Sequence, residues 1–175
     1  MEKTYNQIVG TPVVVEGLGK VARVSDILID TDNGKIACFF VNTGKLKIIL
    51  PRDILFFGQA IILADIDDIV DAEDIVRVTR IIEKDIRLLK SHVETEKGES
   101  LGTVHDYYVN VKFFGLMKLV VYKSFLGLFK TQDLLISARD IVKIEPNKIT
   151  VKDKCAKQPY QQEAREEYAR FHVAT

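Results

Sequence analysis

Hydrophobic residues along this chain fall in short runs rich in β-branched and aromatic side chains, broken by Gly, Asn and Asp. That is the pattern of strands rather than of long helices. In "KIACFFV" (35–41), Ile36, Cys38 and Phe40 share one face of a strand, while Ala37, Phe39 and Val41 share the other. Both faces are apolar, which predicts a strand covered on both sides. "TDNGK" (31–35) predicts a hairpin, because Asn-Gly supplies the positive φ of a tight primed turn. Helical spacing surfaces twice. Within "DIDDIVDAEDIVRVTRIIEKDI", Asp71 is a candidate N-cap, and Ile75, Val78, Ile81 and Ile82 form an apolar stripe, predicting a helix over about 72–84. Tyr160, Ala164, Tyr168 and Phe171 predict a second helix opening after Pro159.

The apolar pattern is written twice. "IVGTPVVVEGLGKVARVSDILID" (8–30) lies on "LLKSHVETEKGESLGTVHDYYVN" (88–110) without a gap, matching Val13 with Val93, Val24 with Val104 and Asp26 with Asp106. "GKIACFFV" (34–41) then lies on "GLMKLVVY" (115–122), one residue further out of step, and "PRDIL" (51–55) is echoed by "ARDIV" (138–142). The loop before the second phrase, "KSFLGLFKTQD" (123–133), is longer than "NTGK" in the first copy. A period near eighty residues exceeds that of solenoid repeats and suits a duplicated small domain. The expected organisation is a β-barrel at 7–66, a connecting helix at 67–86, a second β-barrel at 87–153 and a C-terminal helix or tail at 154–175.

These residues resemble a PRC-barrel protein with two tandem copies, the likeness covering about residues 7–152. Its carriers are "GTPVVVEGLGKVARVSDILIDTDNGKIACFFV…PRDIL" and "SHVETEKGESLGTVHDYYVN…ISARDIVKIEPNKITV". The resemblance implies a mainly β fold of two small barrels. They would be similar to the cytoplasmic domain of the photosynthetic reaction-centre H subunit and to the C-terminal domain of a small-subunit ribosome maturation factor. It also implies a binding or assembly module, bacterial or archaeal, rather than a catalyst. The second copy departs from the pattern at "NVKFFG", which replaces the acidic "DTDNG" hairpin.

Composition changes this picture little. The 175 residues carry 25 basic and 25 acidic side chains, a balance that argues against non-specific nucleic-acid binding. No apolar run reaches the roughly 18–20 residues of a membrane span, and the N-terminus lacks the features of a secretory signal, so a cytoplasmic location is expected. Cys38 and Cys155 do not make a disulfide framework. "DTDNG" has its glycine fifth rather than sixth for a calcium loop, and "GLGK" lacks the rest of a phosphate loop. His105 and Asp106 are adjacent on a strand and point to opposite faces, which excludes a dyad between them. His92 and His172 have no Cys or His at metal-ligand spacing. The expectation is no catalytic constellation, no metal site and no cofactor. Asp26, Asp106, Asp53 and Asp140, with Arg52 and Arg139, recur in both copies and read as structural positions at turns or bulges.

What distinguishes the second copy is aromatic: Phe113, Phe114, Phe125, Leu126, Leu128 and Phe129 surround two turns. A cluster of that kind marks a protein-binding surface, or packs within the chain or in a homodimer. The leading expectation is a non-catalytic adaptor acting through protein–protein contacts. The alternatives are a ribosome- or RNA-associated maturation factor, favoured by lysines 143, 148, 152, 154 and 157, and a small-molecule-binding or membrane-peripheral protein.

Overall fold

A computed structural model describes residues 1–43, 46–125 and 129–157, with the side chains of 123–125 and 129–132 outside the description. The chain divides into two compact units: Met1–Ile86 with Tyr108–Met117, and Arg87–Tyr107 with the chain from Lys118 onward. Among the described residues no helix is long and apolar enough to cross a membrane.

The first unit opens with β1 (Glu2–Thr4) and one turn of helix, α1 (Tyr5–Ile8). Thr4 and Gln7 form a reciprocal capping box around that turn. Then come β2 (Pro12–Val15), β3 (Gly19–Asp30), β4 (Lys35–Asn42), β5 (Leu46–Ile49), β6 (Ile54–Phe57), β7 (Ile61–Leu63) and β8 (Ile69–Asp71). Their ladders run β6–β7–β2–β3–β4–β5–β8, antiparallel except for the parallel pair β2 and β7. No ladder among the described residues joins β6 to β8, so hydrogen bonding does not close this unit into a ring.

The helix α2 (Val76–Glu83) starts later than the sequence pattern predicts. Asp71 is the last residue of β8 rather than the helix cap; its backbone pairs with Lys47 on β5, and the Lys47 ammonium reaches its carboxylate at 2.8 Å. Ala72–Asp74 form a 3-10 turn, and α2 begins after Ile75 without a side-chain cap. Sheet pairing and an ion pair therefore take the residues that read as a first helical turn.

The apolar stripe does face a core. Val78 packs with Cys38, Ile48, Leu50 and Ala72, flanked by Leu28, Phe40, Val70, Ile75 and Ile82. On the other side of β4, buried Phe39 meets Phe57 edge-on at 5.6 Å. β4 is thus covered on both faces, as its alternation predicts.

The second unit contains β9 (His92–Thr95), most of β10 (Ser100–Asn110) and β11 (Gly115–Phe125), β12 (Phe129–Ser137), β13 (Ile141–Glu145) and β14 (Lys148–Val151). Its ladders run β13–β14–β9–β10–β11–β12, again with one parallel pair, β9 with β14, and no ladder among the described residues joins the ends. A 3-10 turn, Asp153–Lys157, follows. The rest of the predicted C-terminal helix, 158–175, lies outside the described residues.

Backbone hydrogen bonds recur at an offset of 80. The Val24 amide donates to the Thr11 carbonyl and the Val104 amide to Ser91; the Gly10 amide donates to Val24 and the Lys90 amide to Val104. Even the hydroxyls match, Thr11 Oγ1 donating to the Gln7 carbonyl and Ser91 Oγ to Arg87.

Candidate functional site

The hairpin turns of the two halves lie 80 residues apart. Residues 31–34 and 111–114 each form a turn of equal length. The Asp30 carboxylate accepts the Asp32 amide at 3.1 Å, and the Asn110 side-chain oxygen accepts the Lys112 amide at 2.9 Å. Gly34 has φ 69° and Phe114 has φ 50°. The glycine of the second turn stands one place later, and Phe114 holds the left-handed position that Gly34 fills in the first turn. That shift is why sequence alignment on glycine slips by one residue. Asn33 is not at positive φ, so the first turn is not the primed type expected; only Gly34 is left-handed.

Both tips lie within the first unit and pair there. Gly115 stands opposite Lys35; the Ile36 amide donates to the Phe114 carbonyl at 2.8 Å and the Leu116 amide to the Gly34 carbonyl at 2.7 Å. The half-buried Phe114 ring meets Phe39 edge-on at 6.1 Å. Phe113 faces outward, 68% exposed, with the Lys112 ammonium 5.8 Å from its ring centre. Of the aromatic residues predicted to bind a partner, Phe114 thus packs into the first unit's core and Phe113 stays exposed. Leu126, and the side chains of Phe125 and Phe129, lie outside the described residues.

A second exposed apolar feature has no precedent in the sequence pattern. The β6–β7 ladder carries a bulge between Ile54 and Phe56. Such a bulge re-aims side chains that alternation would send to opposite faces. Leu55 and Phe56 are 59% and 63% exposed, while Phe57 is buried. The Phe56 ring lies over Gly58, where a Cβ would come within 2.5 Å of it. β13 carries the corresponding bulge, but there Val142 is followed by Lys143, which pairs with Glu145 at 2.7 Å. A continuous "ILFF" gives no sign of the bulge.

The repeated acids serve the fold in different ways. Asp26 Oδ1 accepts the Ile27 amide and the Tyr5 hydroxyl; Asp106, fully buried, accepts the Tyr107 amide. Asp140 is buried, held by Lys154 at 2.7 Å and Lys152 at 3.4 Å. The Lys154 hydrogen bond, aided by both positive charges, outweighs burial and keeps that carboxyl below its usual value. Asp53 lies 3.5 Å from exposed Arg52, with no further ion pair among the described residues, so one written phrase has two electrostatic settings. The Arg139 amide donates to Ser137 Oγ, and its carbonyl accepts Lys152. Asp30 is held by Arg77 at 2.7 Å and Asp32 by Lys84 at 2.6 Å, so α2 neutralises the acidic hairpin. Burial opposes ionisation of Asp30, yet these cations and the turn hydrogen bonds keep its carboxyl below the ordinary range.

His105 does not face Asp106; its Nε2 lies 3.1 Å from Asp133 Oδ1, and its ring stands edge-on to Tyr122 at 5.6 Å. The pair spans β10 to β12, and Ser25 stands 80 residues before His105. It offers two metal donors, and no third His, Cys, Asp or Glu joins them among the described residues. Four of the five lysines of the expected basic end pair with three acids. Lys143 pairs with Glu145, Lys148 with Glu94 at 3.1 Å, and Lys152 and Lys154 with Asp140.

Ladders, buried strands and short helices define a mainly β protein. Residues 1–85 match the PRC-barrel domain family, so the first unit contains a PRC-barrel domain. Comparison with curated proteins yields no match.

Proposed function

We propose that this chain is a non-catalytic binding and assembly module built from two PRC-type units, the second a duplicate of the first, and that it works through protein–protein contacts. The PRC-barrel domain at 1–85 supports the first part. The constant offset of hydrogen bonds and the matching ladder order support duplication. One observation carries the binding role: the β6 bulge holds Leu55 and Phe56 together at the surface, where the corresponding bulge exposes Val142 and a paired lysine. Adjacent exposed Leu and Phe on a rigid edge is costly for a protein without a partner. Phe113 extends the same chemistry to the hairpin tip.

The test is quantitative affinity capture from the native cell with the full chain, comparing wild type with Leu55→Asp/Phe56→Asp and with Phe113→Asp. The proposal expects specific partners to be lost in the β6 variant while its circular dichroism and melting remain those of a folded protein. An identical capture profile in both variants overturns it.

A further inference from the structure

The first unit is discontinuous: Met1–Ile86 are completed by Tyr108–Met117, the tip of a hairpin whose strands continue into the second unit. The tip is seated on two sides. Residues 108–110 pair with β1, and Gly115 pairs with Lys35 at the start of β4. Phe114 adds its ring contact with Phe39. We propose that this seat also receives the same hairpin from a second copy of the chain, giving a strand-exchanged dimer through residues 108–117.

Every bond in the seat is available unchanged in trans, so the choice between closed monomer and exchanged dimer rests on the connection between the units. Asp85, the second residue past α2, sits at φ 47°, a left-handed position that costs a non-glycine residue free energy. Opposing this, a tethered hairpin has an effective concentration of order mM, so the closed form dominates in dilute solution. Exchange therefore rises with concentration, and a substitution that forbids the Asp85 turn favours it.

Lys35 and Gly115 report on the seat. The flanking hydrogen bonds make them a non-hydrogen-bonded antiparallel pair, with Cα atoms about 4.5 Å apart and suited to a disulfide. A Cβ at Gly115 meets nothing closer than 3.9 Å, and both native cysteines are buried. Full-length Lys35→Cys/Gly115→Cys protein is oxidised at about 1 μM, far below that effective concentration, and at about 1 mM, comparable with it, with and without Asp85→Pro. The proposal expects an intrachain disulfide at the low concentration and a growing interchain fraction at the high one. It also expects mostly interchain dimers with Asp85→Pro at both. An intrachain disulfide alone at 1 mM in the parent protein, whether or not the proline variant folds, overturns the proposal. So does any dimer that keeps its disulfide within one chain.

Discussion

At Phe114 two effects of the same size oppose each other. A left-handed conformation costs a side chain with a Cβ about 1 kcal/mol or more, while an edge-to-face ring contact contributes about 0.5–1.5 kcal/mol beyond the apolar area it buries. The ring contact with Phe39 wins, since burial of the Phe114 side chain adds to it. Urea unfolding is therefore expected to rank wild type above Phe114→Gly and Phe114→Ala last. The alanine loses the ring and keeps the strain, so it falls about 1 kcal/mol below the glycine.

Asp140 gives a pH prediction. Its carboxyl is held below its unfolded value by Lys154 and Lys152, so its contribution is present above about pH 3.9, the ordinary aspartate pKa, and is lost as pH falls through the lower folded value. Asp140→Asn is expected to lower the urea midpoint at pH 6 and to flatten its decline between pH 4 and 2.5. Cys38 gives a third residue-scale prediction. Burial, with Asp26 adding to it, pushes the thiol up to about 12. At pH 8 a thiol reagent is expected to modify Cys38 only at the rate of unfolding.

Among the elements, α2 shows how far sequence pattern reached and where it failed. The stripe of Ile75, Val78, Ile81 and Ile82 found the correct face, because burial follows the helical period. The helix start was not legible. Acids from Asp71 to Asp74 resemble a capped first turn, but whether Asp71 caps a helix or pairs on a strand is decided by Lys47, distant in sequence. The hairpin turn was legible as a turn and not in type, because Asp30 organises it through its own carboxylate. Val78→Ala, at the buried centre of α2, is expected to cost about 2 kcal/mol of unfolding free energy. Arg77→Ala, removing a largely exposed partner of buried Asp30, is expected to cost about 1 kcal/mol. Equal losses from both would mean that the ion pair, rather than the apolar stripe, secures the helix.

For the molecule as a whole, the proposed duplication is readable in sequence because the two halves share strand periods and turns. Their divergence was readable only in part. The aromatic turn announced itself in "NVKFFG", but Phe114 turns inward and Phe113 outward, a choice fixed by one left-handed residue. The exposed Leu55–Phe56 pair needed the bulge, and the His105–Asp133 contact needed the folding of three neighbouring strands. The proposed reading places partner binding at the β6 bulge and the hairpin tip rather than at the lysines of the second unit, four of which pair with acids. Hydrogen–deuterium exchange of the full chain, alone and saturated with a captured partner, locates the contact directly. The account predicts new protection in peptides covering residues 52–58 and 110–115; protection confined to residues 143–157 would contradict it.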